Sequence, residues 1–272
     1  TPTTYGACLR MTSQRSQAIR LIFHSMANCH FRKLDSYTII GSLSEETCLT
    51  KSPLTMHICL RFNHPIQSHH FLEEDFVINF EQNQLQFSLA TSFISEEQAI
   101  DNLPREDFDS IKEQTKLAWE SYLHRFDVVH QGVADRRMFD HSLYRLFLFP
   151  QTFYELDAQG QEIHWDFTHR TIKKGKLFTN IGFWDGFRTN LPLLALIAPD
   201  VYHDFLEGFL NVYRETGHLP KWLSPDERGI MPGTLIDSVI ADAASKHLIP
   251  DLEEDFLQAM LDTAEKEDSL GR

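Results

Sequence analysis

The sequence has no apolar run approaching the roughly 18–20 residues that a membrane-spanning helix requires, and its first ten residues lack the basic start and apolar block of a signal peptide. It contains no Gly-x-Ser-x-Gly, no Gly-Lys-Ser or Gly-Lys-Thr phosphate loop and no Gly-x-Gly-x-x-Gly. Acyl, phosphoryl and hydride transfer therefore lose their usual sequence support. Basic residues are scarce: 25 Lys and Arg stand against 39 Asp and Glu, a formal net charge of −14. A field of that sign repels phosphate backbones and anionic lipid, so neither nucleic acid nor a membrane surface is expected as a partner. Cysteine is confined to Cys8, Cys29, Cys48 and Cys59, whose spacing matches no zinc pattern of close pairs. Two disulfides are open in a secreted context. Four reduced, half-buried thiols are the simpler expectation, and they lean towards a cytoplasmic location. Fourteen His include no His-Glu-x-x-His, and His69-His70 reads as a surface pair in a loop.

What is present is an ordinary globular composition, with 42% hydrophobic and 24% charged residues over 272 positions. That length suits one large or two ordinary domains. The chain begins with Thr1, so the expectation is that the natural start precedes it.

Up to about residue 92 the pattern is β. Ala18–Phe23, Tyr37–Ile40 and Met56–Phe62 are short β-branched or aromatic runs separated by Gly, Pro, Asn and Ser clusters. Phe76–Phe80 and Leu85–Leu89 alternate well, and the intervening Glu81-Gln82-Asn83-Gln84 reads as a hairpin turn. Short strands at this spacing predict an antiparallel sheet or sandwich. After residue 95 the period becomes helical. Ser95 is an N-cap candidate, and Phe108, Ile111, Thr115, Ala118, Trp119 and Tyr122 recur at steps of three and four. Helices are expected at about 134–148, 190–198, 199–215, 234–247 and 251–266, with short hairpin strands within 150–185. Acidity follows the same division: residues 1–100 carry 7 basic and 9 acidic side chains, residues 101–272 carry 18 and 30. Glu253-Glu254-Asp255 and Glu265-Lys266-Glu267-Asp268 read as solvated helix faces and ends.

Two segments are unusual for plain helix-core sequence. In Gly182-Phe183-Trp184-Asp185-Gly186-Phe187-Arg188-Thr189, an indole beside a carboxylate with a guanidinium three residues on suits a sugar. The C–H face of the sugar ring stacks on Trp184 while Asp185 and Arg188 bind adjacent hydroxyls. The same residues also read as core aromatics with an intrahelical Asp185–Arg188 ion pair. The second segment, Leu219 to Thr234, holds three prolines and two glycines in 16 residues and makes a shaped loop. Its Glu227 is a candidate proton donor of the kind glycoside cleavage needs, provided burial or Asp226 keeps it protonated, with Arg228 acting the other way. The alternative is that Asp226-Glu227-Arg228 is a solvated turn before a helix capped by Thr234. Asp237 and Asp242 sit on the otherwise apolar helix that follows, where a buried carboxylate must be paired or functional.

Taken in order, these motifs resemble glycoside hydrolase family 92, the calcium-dependent exo-acting α-mannosidases that invert the anomeric centre. The resemblance spans roughly residues 74–248. It rests on Ser92–Ala99 with Asn102-Leu103, Trp119, Leu143–Pro150, the Trp184–Thr189 stretch with Pro192-Leu193-Leu194, and Leu219-Pro220-Lys221-Trp222 followed by Glu227, Met231, Gly233 and Ile240–Ala243. It departs from the family at Pro225-Asp226-Glu227-Arg228-Gly229, where Gly-Asn-Glu-Thr is frequent, in lacking a His after the Met-x-Gly, and in having Gly186 for a usual Thr.

The resemblance implies an α+β multidomain chain: part of an antiparallel β-sandwich in 1–95, a linker helix in 96–125 and the first part of an (α/α)6 catalytic toroid in 126–272. It implies Glu227 as general acid, Trp184, Asp185, Arg188 and Trp222 as substrate-binding residues, and a general base outside this segment. Calcium is the implied cofactor, with ligands that these motifs do not identify, and a mannose-containing glycan is the implied partner. The rival expectation is a carbohydrate-binding or degenerate family member without turnover. On a count of about twelve helices for a toroid, the length is expected to be that of a cut segment.

Overall fold

The computed structural model describes residues 1–14, 18–24, 29–47, 51–129, 132–231 and 233–266. Cys48, Pro232 and the Glu267-Asp268 end of the last acidic run lie outside the described residues. The chain divides into two compact units, one of residues 1–45 and 54–120, the other of 46–53 and 121–272.

The first unit carries strands β1 (Pro2–Thr3), β2 (Gly6–Thr12), β3 (Ile19–Phe23), β4 (Cys29–Lys33), β5 (Thr38–Glu46), β6 (Pro53–Phe62), β7 (Ser68–Leu72), β8 (Asp75–Phe80) and β9 (Gln84–Ser92). Helices α1 (Glu96–Asp101) and α2 (Phe108–Leu123) follow. The strands form a six-stranded sheet in the order β1-β2-β9-β6-β5-β4 and a three-stranded sheet β3-β8-β7. Alternation decides which side chains face which way, because successive residues of a strand point to opposite faces. Ile39, Leu60, Phe62, Leu85 and Phe87 of the larger sheet share one apolar core with Leu21, Phe76, Ile78 and Phe80 of the smaller. The alternate residues Ile40, Cys59 and Ala90 pack instead with Ala99 and Leu103, at and just beyond α1. Ser95 caps α1 as expected, its side chain accepting from Gln98 N–H.

Two expectations are corrected here. The segments 76–80 and 85–89 do not form a hairpin: β8 pairs with β3 and β7, whereas β9 lies between β2 and β6. Residues 81–83 cross from one sheet to the other, because each strand presents its apolar face to the same core from opposite sides. His69 and His70 lie on edge strand β7, paired with Ile78 and Val77, rather than in a loop. That strand is exposed along its length, so its sequence shows no alternation to find. The described cysteines Cys8, Cys29 and Cys59 are buried, further than the half-buried state expected of them, and Cys8 and Cys59 are free thiols.

The second unit carries α3 (Val133–Leu146), then the short strands β10 (Gln151–Thr152), β11 (Glu155–Leu156), β12 (Glu162–Asp166), β13 (Thr171–Lys174), β14 (Phe178–Thr179) and β15 (Ile181–Gly182). After them come α4 (Phe183–Gly186), α5 (Asn190–Ile197), α6 (Pro199–Thr216), β16 (Trp222–Leu223), α7 (Leu235–Ser245) and α8 (Glu253–Glu265). The expected hairpin strands are present as an antiparallel β11-β12-β13 sheet and a β10-β14 pair. The turn at Asp157–Gly160 is closed by the Asp157 carboxylate, which accepts from Gln159 and Gln161 N–H at 2.9 and 2.8 Å, and by Gly160 at φ +74°.

Helices α5 and α6 form one helical hairpin and α7 and α8 another, with α5 against α7 and α6 against α8. Their seam is built from Leu191, Leu194, Tyr202, Leu206, Phe209, Leu210, Val239, Ile240, Phe256 and Ala259, all buried. The acidic start of α8 is solvated, as its sequence suggests, where it complements the helix dipole. Thr234 stands at the N-cap of α7, but its side chain makes no capping hydrogen bond to an N–H.

Candidate active site

The two unusual segments meet. β15 pairs antiparallel with β16, Ile181 opposite Leu223 and Gly182 opposite Trp222. The short ladder thus joins the Trp184-Asp185 segment to the loop that carries Glu227. Gly182 lies between the two candidate sugar contacts: a Cβ on it would stand 3.4 Å from Trp222 Cδ1 and 3.5 Å from Asp185 Oδ2. On the same segment, Phe183 is fully buried and meets Phe209 edge-on at 5.0 Å between ring centroids. Burying one side chain of the pair fixes the next. Trp184 is 55% exposed, and Asp185 is exposed as well. Arg188 does not pair with Asp185; its guanidinium lies 4.7 Å above the ring of Phe187. The intrahelical ion pair is therefore not formed.

Glu227 is 4% exposed, which overturns the solvated-turn alternative. The loop folds back on itself through a bridge between Leu223 and Glu227 and through Arg228 N–H donating to Trp222 carbonyl oxygen at 2.7 Å. Ser224-Pro225 is a cis peptide, and Thr179 Oγ1 donates to the Pro225 carbonyl at 2.8 Å. This places the Glu227 carboxylate against the main chain of the loop's entry and exit. Lys221 N–H donates to Oε2 at 2.6 Å, Gly229 N–H donates to Oε1 at 2.9 Å, and Trp222 N is 3.4 Å from both oxygens. Neighbouring Asp226 is buried too, and the Arg228 guanidinium lies 5.4 Å from the Trp222 ring. Such backbone donors hold a carboxylate in one plane and stabilise negative charge on it.

The carboxylates of α7 divide. Asp242 pairs with Lys246 at 2.6 Å one turn on, a structural contact. Asp237 is half-buried, and burial raises its pKa above the usual carboxylate range, opposed in part by a hydrogen bond with Thr234.

Sequence reasoning missed two buried ionic groups in this unit. His164 on β12 is 1% exposed; its Nδ1 is 2.7 Å from the Gly175 carbonyl and its Nε2 is 2.5 Å from Glu215 Oε1 on α6. Desolvation lowers its pKa, but Glu215, the Gly175 carbonyl and Asp166 together outweigh that and raise it. Lys176 reaches Asp204 at 2.6 Å, Glu207 at 3.1 Å and Glu162 at 3.7 Å. Nothing in the local spacing announces either group, since the partners are 11 to 51 residues away.

Calcium takes six to eight oxygen ligands. Among the described residues, the cluster able to bring three ligand atoms together is His203, Asp204 and Glu207, where the Lys176 ammonium already pairs with both carboxylates. An imidazole and two lysine-paired carboxylates do not fit a calcium site.

Solved structures give the fold a context. An inverting mannosidase of family GH92 from Bacteroides thetaiotaomicron superposes with a TM-score of 0.86 at 25% identity, over 94% of this chain and 38% of that one. A family GH92 α-mannosidase from the same organism gives 0.84 at 18% identity over 99% and 41%, and its complex with mannoimidazole gives 0.83 at 19% over 99% and 40%. The chain thus spans about two fifths of the length of these proteins. No curated protein sequence matches it.

The helical-hairpin unit that carries this ladder and the Glu227 loop lies within a match to a glycosyl hydrolase catalytic domain. More particularly, residues 95–272 match the glycosyl hydrolase family 92 catalytic domain, and the chain belongs to that family.

Proposed function

We propose that the full-length protein carrying this chain is an exo-acting α-mannosidase that removes terminal α-linked mannose from a glycan with inversion. The observation that carries this reading is the β15–β16 ladder, which sets Trp222 and Asp185 about Gly182 next to the loop that buries Glu227. Family membership and the mannosidase titles of the structural neighbours support it. Trp184 and Trp222 offer apolar faces to the sugar's C–H surface and Asp185 accepts from its hydroxyls, with Arg188 assigned to the outer edge of the same subsite.

Glu227 acts as general acid. Its carboxyl proton passes to the glycosidic oxygen as the C1–O bond breaks and that oxygen keeps the bonding electron pair. A water oxygen then bonds to C1 from the opposite face and gives up a proton to a general base that no residue of the described chain is assigned to be. In an inverting enzyme the two carboxyl groups stand about 6.5–9.5 Å apart to admit that water. Negative charge grows on Glu227 as its proton leaves, and the N–H groups of Lys221 and Gly229 are placed to stabilise it. In this reading residues 1–95 are part of a β-sandwich, 96–125 a linker and 126–272 the first part of an (α/α)6 toroid. Calcium belongs to the longer protein, through ligands other than His203, Asp204 and Glu207.

Glu227→Gln in the full-length protein tests the acid. Activity on an α-mannobioside should fall by about 10²–10⁴-fold, the usual contribution of general acid catalysis, while a dinitrophenyl α-mannoside, whose leaving group needs no proton, stays near wild type. Wild-type turnover of the mannobioside by the variant would sink the assignment. Mannose binding without any hydrolysis by the unsubstituted protein would favour the non-catalytic alternative.

A further inference from the structure

We propose that Arg228 binds the leaving sugar: its guanidinium takes hydroxyls of the saccharide unit on the far side of the bond that Glu227 cleaves. The inference rests on Glu227 being the general acid. β15, β16 and the chain returning through Glu227 form three adjacent runs, because Ile181 and Gly182 stand opposite Leu223 and Trp222, and Leu223 is in turn bridged to Glu227. Arg228 N–H donates to Trp222 carbonyl oxygen at 2.7 Å, so the next row across reads Gly182, Trp222, Arg228, with Trp222 in the middle. Residues opposite one another on adjacent runs have neighbouring side chains. Accordingly the Arg228 guanidinium lies 5.4 Å from the Trp222 ring centroid, within cation–π range. On the other neighbouring run, a Cβ at Gly182 would stand 3.4 Å from Trp222 Cδ1 and 3.5 Å from Asp185 Oδ2.

That order assigns the two sides of Trp222. Asp185, on the Gly182 side, is the contact proposed for the terminal mannose. Arg228, on the other side, follows the acid directly in the chain, and the oxygen that Glu227 protonates joins the terminal mannose to the sugar that leaves. A group across Trp222 from Asp185 therefore meets the leaving sugar. Arg228 is also available to it. Arg10, Arg32 and Arg214 are each paired with a carboxylate, whereas the half-buried Arg228 side chain forms no ion pair or hydrogen bond among the described residues, its contact being the Trp222 indole. That contact holds the group through its charge and leaves N–H donors for ligand hydroxyls, which a planar guanidinium can take in pairs.

The measurement is KM and kcat of the full-length protein on an α-mannobioside and on α-mannosyl fluoride, which places no sugar on the leaving side, with Glu227→Gln run alongside. Arg228→Met keeps an unbranched stem beside the indole and removes the guanidinium. It should raise KM for the mannobioside by about 10-fold or more, the worth of one hydrogen bond to a charged group, with kcat little changed. Both constants for the fluoride should stay at wild-type values. Arg228→Lys keeps the charge without the planar fork and should recover only part of the loss. The proposal is overturned if Arg228→Met matches wild type on the mannobioside, if Arg228→Lys restores the wild-type KM in full, or if Arg228→Met loses equally on both substrates, which would make Arg228 a prop for Trp222. It is overturned as well if the loss lies in kcat with a displaced alkaline limb of the pH profile, because Arg228 would then act through the proton affinity of Glu227. Retention of mannobioside activity by Glu227→Gln would instead remove the acid assignment itself, a result that the Arg228 variants cannot produce.

Discussion

Replacing Glu215 with Gln removes the charge that favours protonation of His164 in the interior. The pair joins β12 to α6, with the imidazole side chain wholly inaccessible, the carboxylate only 12% accessible, and 2.5 Å between Nε2 and Oε1. In the native chain Glu215 and the Gly175 carbonyl overcome the desolvation of His164, so its pKa lies above the ordinary histidine value. A group whose folded pKa is raised contributes stability in full below its unfolded pKa, about 6.5 for histidine, and loses that contribution as pH rises through the folded pKa. Stability of the native unit should therefore decline on going from pH 6.5 into mildly alkaline solution, to the extent that His164 governs it. In Glu215→Gln the two largest opposing effects, the Glu215 hydrogen bond and charge, are gone, and only the Gly175 carbonyl and the Asp166 charge still oppose desolvation. The histidine then favours its neutral form, and its contribution rises with pH. Breaking a buried pair at one partner costs about 3–5 kcal/mol, and the partial exposure of Glu215 puts the expectation near the lower end, about 3 kcal/mol below pH 6.5. Urea unfolding followed by tryptophan fluorescence at pH 5.5, 6.5, 7.5 and 8.5 reads both quantities, with about 3 kcal/mol corresponding to a Tm loss of roughly 6–12 °C for a unit of this size. A variant whose stability parallels wild type at every pH, or which is destabilised by the same amount throughout, would refute the argument, because the first denies the pair and the second denies its titration.

Lys176→Met should also destabilise the second unit, by about 2–3 kcal/mol at low salt, because the side chain is mostly buried and leaves Glu162, Asp204 and Glu207 to repel one another. Burial lowers the lysine pKa but Asp204 and Glu207 outweigh it and raise it, so the native contribution persists across neutral pH. Added salt should narrow the gap between variant and wild type in urea melts, and a gap independent of salt would point to lost packing alone. Removing calcium from the full-length protein with a chelator should abolish mannoside hydrolysis. Asp204→Asn should leave the calcium titration of the restored activity unmoved, and a shifted titration would place calcium at the cluster that appears here as a lysine site.

Much of the second unit was legible along the chain. The four long helices α5, α6, α7 and α8 fall within one or two residues of their expected positions, apart from slightly shorter ends, because their apolar residues recur at the helical period and Pro199, Gly217 and Pro250 mark the ends. The first unit was less legible. β2 mixes glycine and polar residues into a short run, β4 is mostly polar, and β7 is an exposed edge, so the period-two signal is diluted. The crossing at residues 81–83 looks like a hairpin locally, since alternation reports that a strand has one apolar face and says nothing about which neighbour it pairs with. At the site, the local order of Trp184, Asp185, Trp222 and Glu227 could be read directly, but the pairing of Gly182 with Trp222 spans 40 residues of chain and has no local signature.

By itself the sequence determined which residue types are available and where the helices lie: an acidic chain without phosphate loops or close cysteine pairs, with two aromatic-carboxylate segments set among helices. Those properties follow from composition and short-range periodicity, which every residue carries with it. Tertiary structure alone decided that Glu227 is buried against Lys221 and Gly229 main chain, that Arg188 stacks on Phe187 and leaves Asp185 unpaired with it, and that Lys176 sits among the carboxylates a metal would need. Each depends on how the chain is packed around the group, and burial and hydrogen bonding are settled only when the chain has closed around it.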